Sequence, residues 1–409
     1  MQVLIASGTP LVLLGALLGP ITGVVTRDLA SQLAPVSALG LGWLGMLFGL
    51  QLDRAIVREF RGVLWRFALL QAGIAFLIAA LGAAVIRLTL PGLRAAWAPG
   101  EAAVFTLAAV AAISAPTGVS IAARRLKLRG PLLDLLSFSA SVDGLIGVFA
   151  FTAVLAVYRP IEGPGVAELS PERWLAVSLL SGVLVGLVFL SLTRKAPTTD
   201  ELTLSLLGTV LFGAGAGYAL GLSPLIVTIV AGAVVANLSS HKRRVLATLS
   251  AWERPAYHIL LILTGTLLTV PNAWVWAAVL LFVGWRLSAK YLGGYAALRL
   301  LRLPEVPPTV GLALVAQGGL TVALALNYVI AYRQQAPAAV DVVLTTVVVL
   351  VALNEVLSPS VIRRVFHRAA AEARPLTREP SGATVPPADG ARGHDDGPPP
   401  PPPPPGVRL

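Results

Sequence analysis

The chain has 409 residues, of which 56% are hydrophobic and only 12% charged, roughly half the charged share of a soluble domain. So small a polar complement cannot clothe a soluble fold of this size, whereas lipid as the main solvent favours an apolar exterior. With no cysteine there is no disulfide framework, thiolate metal site or cysteine nucleophile, and His241, His258, His367 and His394 do not pair at metal-ligand spacing, which argues against a zinc enzyme.

The start, Met1-Gln2-Val3, runs straight into an apolar stretch without the basic segment of a signal peptide, which predicts a retained first membrane helix. Apolar runs then follow at 3–24, 34–52, 63–86, 102–122, 132–158, 172–192, 202–220, 223–238, 256–270, 273–298, 307–332 and 338–358. Most reach the ~20 residues that cross a bilayer core as helix. The runs at 223–238 and 256–270 are short. The expected fold is an all-α polytopic membrane protein of about twelve transmembrane helices.

An even count puts both termini on one side. Loops after even-numbered runs carry Arg54, Arg58, Arg61, Arg66, Arg124, Arg125, Lys127, Arg129, Arg194, Lys195, Lys242, Arg243, Arg244, Arg254, Arg299 and Arg302, and the last run ends on Arg363, Arg364 and Arg368. Loops after odd-numbered runs carry only Arg27, Arg87, Arg94, Arg159, Arg173 and Arg333. The positive-inside bias predicts both termini in the cytoplasm, and the chain is expected in the cell (inner) membrane. The bias also accounts for the net charge of +11 as topology charges facing anionic membrane lipid, so no nucleic-acid partner is expected.

The composition changes near Ala369. Prolines accumulate and run unbroken from Pro398 to Pro405. The division predicted is a membrane part at 1–366 and a disordered cytoplasmic tail at 367–409 with a polyproline II stretch. A dispensable solvated tail is the simpler reading, and a partner that reads polyproline II is the alternative.

Charges inside apolar runs need a reason, because one at the bilayer centre costs at least ~2.5–3.5 kcal/mol. Asp143 lies near the middle of the fifth run, with apolar flanks and the nearest basic cluster, ending at Arg129, about 20 Å away along a helix. It reads as an ion- or proton-binding carboxylate, or as a packing aspartate with a fixed partner. Arg286 and Lys290 share a helix face in the tenth run. Two like charges in lipid require at least one anion, and Asp143 is the candidate. Lys290 can alternatively snorkel, and a structural ion pair is open for Arg286.

Helix breaks are the second clue. Ser114-Ala115-Pro116-Thr117-Gly118 interrupts the fourth run, since Pro116 removes a donor and Gly118 loosens the next turn. Gly311 and Gln317-Gly318-Gly319 interrupt the eleventh. The fourth and eleventh helices point opposite ways, as expected of inverted-topology repeats, runs 1–5 against 8–12, whose two discontinuous helices cross at a midplane site. Asp53, Glu355, Asn237 and Asn354 read as interfacial groups near helix ends, and His258 as a packed neutral histidine. Gly8, Gly15 and Gly19 and the series Gly40, Gly42, Gly45 and Gly49 read as close helix packing. With no Ser/His or Asp/Asp pair in register, an intramembrane enzyme is not expected, and no cofactor is expected.

In the order and spacing of these segments the chain resembles the monovalent cation:proton antiporter superfamily, the sodium/proton exchangers, up to about residue 366. The resemblance rests on Leu18-Gly19-Pro20, Phe48-Gly49-Leu50-Gln51-Leu52-Asp53, Ile113-Ser114-Ala115-Pro116-Thr117-Gly118-Val119, Ala231-Gly232 through Asn237, Lys290-Tyr291-Leu292-Gly293 and Gln317-Gly318-Gly319-Leu320. It implies an elevator-type antiporter, usually a homodimer, with a core around 63–158 and 273–358 and a dimerisation or scaffold part around 3–52 and 202–270. It further implies that Asp143 binds a proton and a cation in turn, that Thr117 and Ser114 help ligate the cation, and that Lys290 pairs with Asp143 when no cation is bound. Members usually carry a polar residue just before the aspartate; this chain has Val142 there, with Ser141 as the candidate substitute. A single carboxylate favours one cation (Na+, K+ or Li+) per proton. The alternatives are a degenerate member acting as a membrane sensor or scaffold, or a different ion-coupled carrier on the same fold.

Overall fold

The computed structural model describes residues 8–26, 29, 32–54, 62–90, 100–126, 130–158, 169–194, 198–269, 273–303 and 306–373. They form α1 (Thr9–Ala16), α2 (Ala34–Leu50), α3 (Gly62–Thr89), α4 (Gly100–Ala112), α5 (Pro116–Leu126), α6 (Pro131–Tyr158), α7 (Pro171–Leu192) and α8 (Thr199–Ala219). There follow α9 (Pro224–Leu238), α10 (Lys242–Thr266), α11 (Trp274–Leu301), a 3-10 helix (Val310–Val315), α12 (Gly319–Tyr332) and α13 (Pro337–Ala373). No strand occurs among the described residues. By length and composition α3, α6, α7, α8, α11 and the Pro337–Arg368 part of α13 are long and apolar enough to cross a membrane. The shorter helices α1, α2, α4, α9 and α12 are apolar as well.

Prolines set many of the boundaries. Pro116, Pro131, Pro171, Pro224 and Pro337 each begin a helix, where the missing N–H is not needed. Ser223 Oγ accepts the Ile226 N–H at 3.1 Å to cap α9. Thr198 and Glu201 form a reciprocal capping box on α8. Pro20 falls in a π turn, Leu17–Ile21, that closes the first helix.

Two boundaries differ from the sequence expectation. The run expected at 256–270 begins earlier, because Lys242, Arg243, Arg244, Glu253 and Arg254 lie on α10 and not in a loop. That half is amphipathic: Val245 and Leu249 are buried while Arg254 and Trp252 are exposed. At the other end α13 continues to Ala373, because Ala369, Ala370, Ala371 and Glu372 are strong helix formers. Residues 367–373 are therefore helix, not disordered tail. Residues 374–409, with the proline run, lie outside the described residues.

The helices pack in two sets. In one, α9 lies against α2, α7 and α8, and α10 against α1 and α2. A Cβ at Gly49 would stand 2.1 Å from Ile229 O, and one at Gly232 2.5 Å from Met46 O, so α2 and α9 touch backbone to backbone only because both are glycine. Asn237 ties the far end of α2 to α9 by donating to Leu52 O at 2.9 Å and accepting from the Arg54 N–H at 3.0 Å, and Asp53 pairs with Lys242 beside it. In the other set, α3 packs on α4, α6 and α11, and the 3-10 helix is held between α11 and α13. The buried small residues Ala68, Ala72, Ala75, Ala79 and Ala83 give α3 a flat face for these approaches.

Candidate functional site

The site is built from two breaks. Ala115 precedes Pro116 and is thereby disfavoured from helix. Residues 113–115 leave the helix, and the Ala115 N–H donates to Ala316 O at 2.8 Å, across to the second break. That break follows the 3-10 helix, with Ala316 extended and Gly318 extended before α12 begins at Gly319. Gly118 faces Ala316 so closely that an added Cβ would lie 2.7 Å from the alanine methyl. The interrupted helix α4–α5 and the interrupted pair of 3-10 helix and α12 thus cross at their non-helical residues. Gln317 pins the crossing: its Nε2 donates to Val110 O and its Oε1 accepts from Asn354 Nδ2, both at 2.9 Å. Asn354 is therefore buried at the crossing, not interfacial as the sequence suggested.

Three charged side chains with no solvent exposure surround this crossing: Asp143, Arg286 and Lys290. Lys290 Nζ donates to Asp143 Oδ2 at 2.7 Å, Ser114 Oγ at 2.9 Å and Ala112 O at 2.6 Å, which uses all three of its hydrogens. Lys290 does not snorkel. Ser114 Oγ also stands 2.5 Å from Asp143 Oδ2 and 2.6 Å from Leu314 O; having one hydrogen, it donates to one of them at a time.

Arg286 plays a different part from the one its neighbourhood suggested. Its Nε donates to Ala111 O at 3.1 Å and its two terminal nitrogens to Ile113 O at 3.0 Å and Val315 O at 3.2 Å. These carbonyls lie at and just past the end of α4 and at the end of the 3-10 helix, where backbone acceptors lack helical partners and the helix ends are negative. Arg286 satisfies two chain ends at once, and its hydrogen bonds go to backbone, not to a carboxylate.

Glycine places α11 where this is possible. A Cβ at Gly311 would lie 2.0 Å from Lys290 O, and one at Gly294 2.7 Å from Gly311 Cα. A Cβ at Gly293 would lie 2.7 Å from Gln71 O on α3. The helix bearing Arg286 and Lys290 is wedged between α3 and the 3-10 segment at backbone contact.

The expected residues divide as follows. Asp143, Ser114 and Lys290 touch one another, Arg286 and Gln317 hold the breaks, and Pro116, Gly118, Gly318 and Gly319 shape them. Ser141 is not among the groups that touch Asp143, because its hydroxyl donates to Ser137 O at 3.2 Å on its own helix. Thr117 lies in the first turn of α5, and its side chain is outside the described residues. His258 is exposed on α10, beside the Tyr257 ring at 6.5 Å between centroids, and not packed in the interior as expected. Two neighbours went unread. Gln71 on α3 donates from Nε2 to Asp143 Oδ1 at 2.8 Å. Ser139, one turn before Asp143, is fully buried and its hydroxyl has no hydrogen-bond partner among the described residues. A glutamine in an otherwise apolar run was the available signal for the first; a lone serine carries almost none.

A bundle of apolar helices with a buried aspartate–lysine pair at the crossing of two interrupted helices defines an integral membrane protein of the secondary-transporter class. The chain belongs to the family described as "Sodium/hydrogen exchanger, transmembrane", which matches residues 5–366. Among solved structures it is similar to that of the sodium proton antiporter MjNhaP1 from Methanocaldococcus jannaschii at pH 8, with a TM-score of 0.63, 13% identity, and 88% of this chain and 92% of that one covered. It is similar also to the structure of the same antiporter from an electron-microscopy map, with a TM-score of 0.57, 14% identity, and 91% and 92% covered. At such identities the likeness speaks for the fold. No curated protein matches the chain in sequence.

Proposed function

We propose that this protein exchanges a monovalent cation for a proton and that Asp143 binds each in turn. One observation supports this best: a carboxylate without solvent exposure, at the crossing of two interrupted helices, is held by a lysine that occupies a cation's place. An entering cation substitutes for the Lys290 ammonium, and a proton neutralises the carboxylate and releases either. A hard cation seeks carboxylate, hydroxyl and carbonyl oxygens. Asp143, Ser114 and the unpartnered Ser139 hydroxyl supply such a set, with Thr117 as a further hydroxyl. One carboxylate favours one cation per proton.

In this reading about twelve spans form inverted repeats. A core around 63–158 and 273–358 moves as an elevator past a scaffold around 3–52 and 202–270, which also forms a homodimer. The packing of α11 on α3 and of α9 on α2 supports the division. Both termini face the cytoplasm at the inner membrane.

The experiment is reconstitution in liposomes under an imposed pH gradient, with sodium, potassium or lithium added in turn and a pH-sensitive dye as reporter. Dissipation that depends on one cation and disappears in Asp143→Asn supports the exchange and names the ion. Folded protein that answers none of the three overturns it.

A further inference from the structure

The pair Asp143–Lys290 uses only one carboxylate oxygen, Oδ2. The other, Oδ1, is taken by a residue outside the breaks and outside α11: Gln71, fully buried on α3, whose Nε2 lies 2.8 Å away. The carboxylate accepts only, so the amide must turn its N–H2 end toward it. That leaves Gln71 Oε1, buried and without a hydrogen-bond partner among the described residues. An unpartnered buried carbonyl oxygen is costly, so its presence beside a titratable group asks for an explanation. The two ends of an amide are about 2.3 Å apart, which puts Oε1 within about 5 Å of Asp143 Oδ1.

We propose that Gln71 is a cation ligand of the exchange site, and that its side-chain amide changes ends with the occupancy of Asp143. With Lys290 on Oδ2, the amide donates to Oδ1. When a cation replaces the ammonium, rotation of the amide about its last, soft torsion brings Oε1 toward the carboxylate, where it supplies a neutral hard oxygen to the cation. When Asp143 is protonated, the same oxygen accepts the carboxyl O–H. In each state one end of the amide meets the group present, and no charge is added.

The neighbours fit this role. Val142 packs with Ala68 and Phe138, so the position beside Asp143 gives the site no polar atom. Gln71 stands three residues beyond Ala68 on the same side of α3 and supplies the polar group that Val142 does not. Its backbone lies close against α11, where a Cβ at Gly293 would stand 2.7 Å from Gln71 O, and the rotation required is that of the amide alone.

The proposal rests on the exchange reading, and the test separates the two. Purified protein in detergent is titrated with LiCl, NaCl and KCl at constant ionic strength, and the thermal unfolding midpoint is followed to give a half-saturating concentration for each cation. The proteins compared are the wild type, Asp143→Asn, Gln71→Met, which keeps volume without an amide, and Gln71→Asn, which keeps the amide on a shorter stem. The expected result is stabilisation of the wild type that Asp143→Asn abolishes, with half-saturation raised at least fivefold in Gln71→Met. The order of preference among the three cations also changes in Gln71→Met, and Gln71→Asn recovers part of the loss. A merely structural glutamine would lower the midpoint without salt and leave half-saturation and cation order unmoved, which overturns the proposal alone. A wild type indifferent to every cation, or one matched by Asp143→Asn, overturns the exchange reading and this proposal with it.

Discussion

At the scale of single residues, the sequence exposes what lipid makes expensive. Asp143, Arg286 and Lys290 stand out because a charge in an apolar run needs a partner; that offers Asp143 as the anion for one of the two cations, and the pairing with Lys290 in particular is what the family resemblance implies. The role of Arg286 follows from neither, because its acceptors are backbone carbonyls of Ala111, Ile113 and Val315, and every residue carries a carbonyl. Replacing Arg286 with Leu leaves these carbonyls buried without donors, at about 1–3 kcal/mol each. Thermal or denaturant unfolding in detergent should therefore show a loss of several kcal/mol even at saturating cation. Arg286→Lys, a point charge without the planar fork, should recover only part. An Arg286→Leu protein as stable as wild type would show that water or rearrangement satisfies the helix ends instead. Lys290→Met removes the cation that, among the described residues, bonds to Asp143 Oδ2. A buried carboxylate left unpaired costs about 3–5 kcal/mol, and added exchangeable cation should restore that stability more than it stabilises wild type.

Among elements, the breaks were legible because Pro116 and the Gln317-Gly318-Gly319 stretch are chemically conspicuous. The crossing geometry was not, since nothing local says that Ala115 N–H meets Ala316 O 2.8 Å away. The amphipathic first half of α10 was lost to the same rule that found the loops: basic residues mark topology, and here they also decorate a helix. Glycines were read as packing sites without partners, and the structure supplies them, Gly15 against Gly265 and Gly49 against Gly232. Gly311 carries the sharpest demand. A methyl there would collide with Lys290 O, a backbone atom, and push the 3-10 segment off α11. Gly311→Ala should lower stability by about 1–3 kcal/mol as overpacking does and should slow exchange more than tenfold. Because the collision lies behind the lysine, Gly208→Ala on α8, where an added methyl meets nothing within 4 Å, should leave both unchanged. Equal behaviour of the two variants would contradict this account of the wedge.

Across the whole molecule, fold class and membrane placement came from composition and from the distribution of arginine and lysine, which are global signals. The packing of α9 on α2 and of α11 on α3 came only from the structure, because contacts between distant helices leave no local periodicity. The proposed orientation makes its own prediction, aided by the absence of native cysteine. An impermeant thiol reagent applied to intact cells should label Gln335→Cys, in the exposed turn after α12, and not Ser240→Cys, in the exposed turn before α10. The reverse pattern would place the termini outside. Where cation and proton compete for Asp143, cation binding must set protons free. Exchangeable cation is added to weakly buffered, purified protein in detergent, and the protons set free are counted with a pH indicator. Release should saturate at no more than one proton per chain in the wild type and be absent from Asp143→Asn. Cation binding without proton release, or equal release from both proteins, would contradict competition at Asp143.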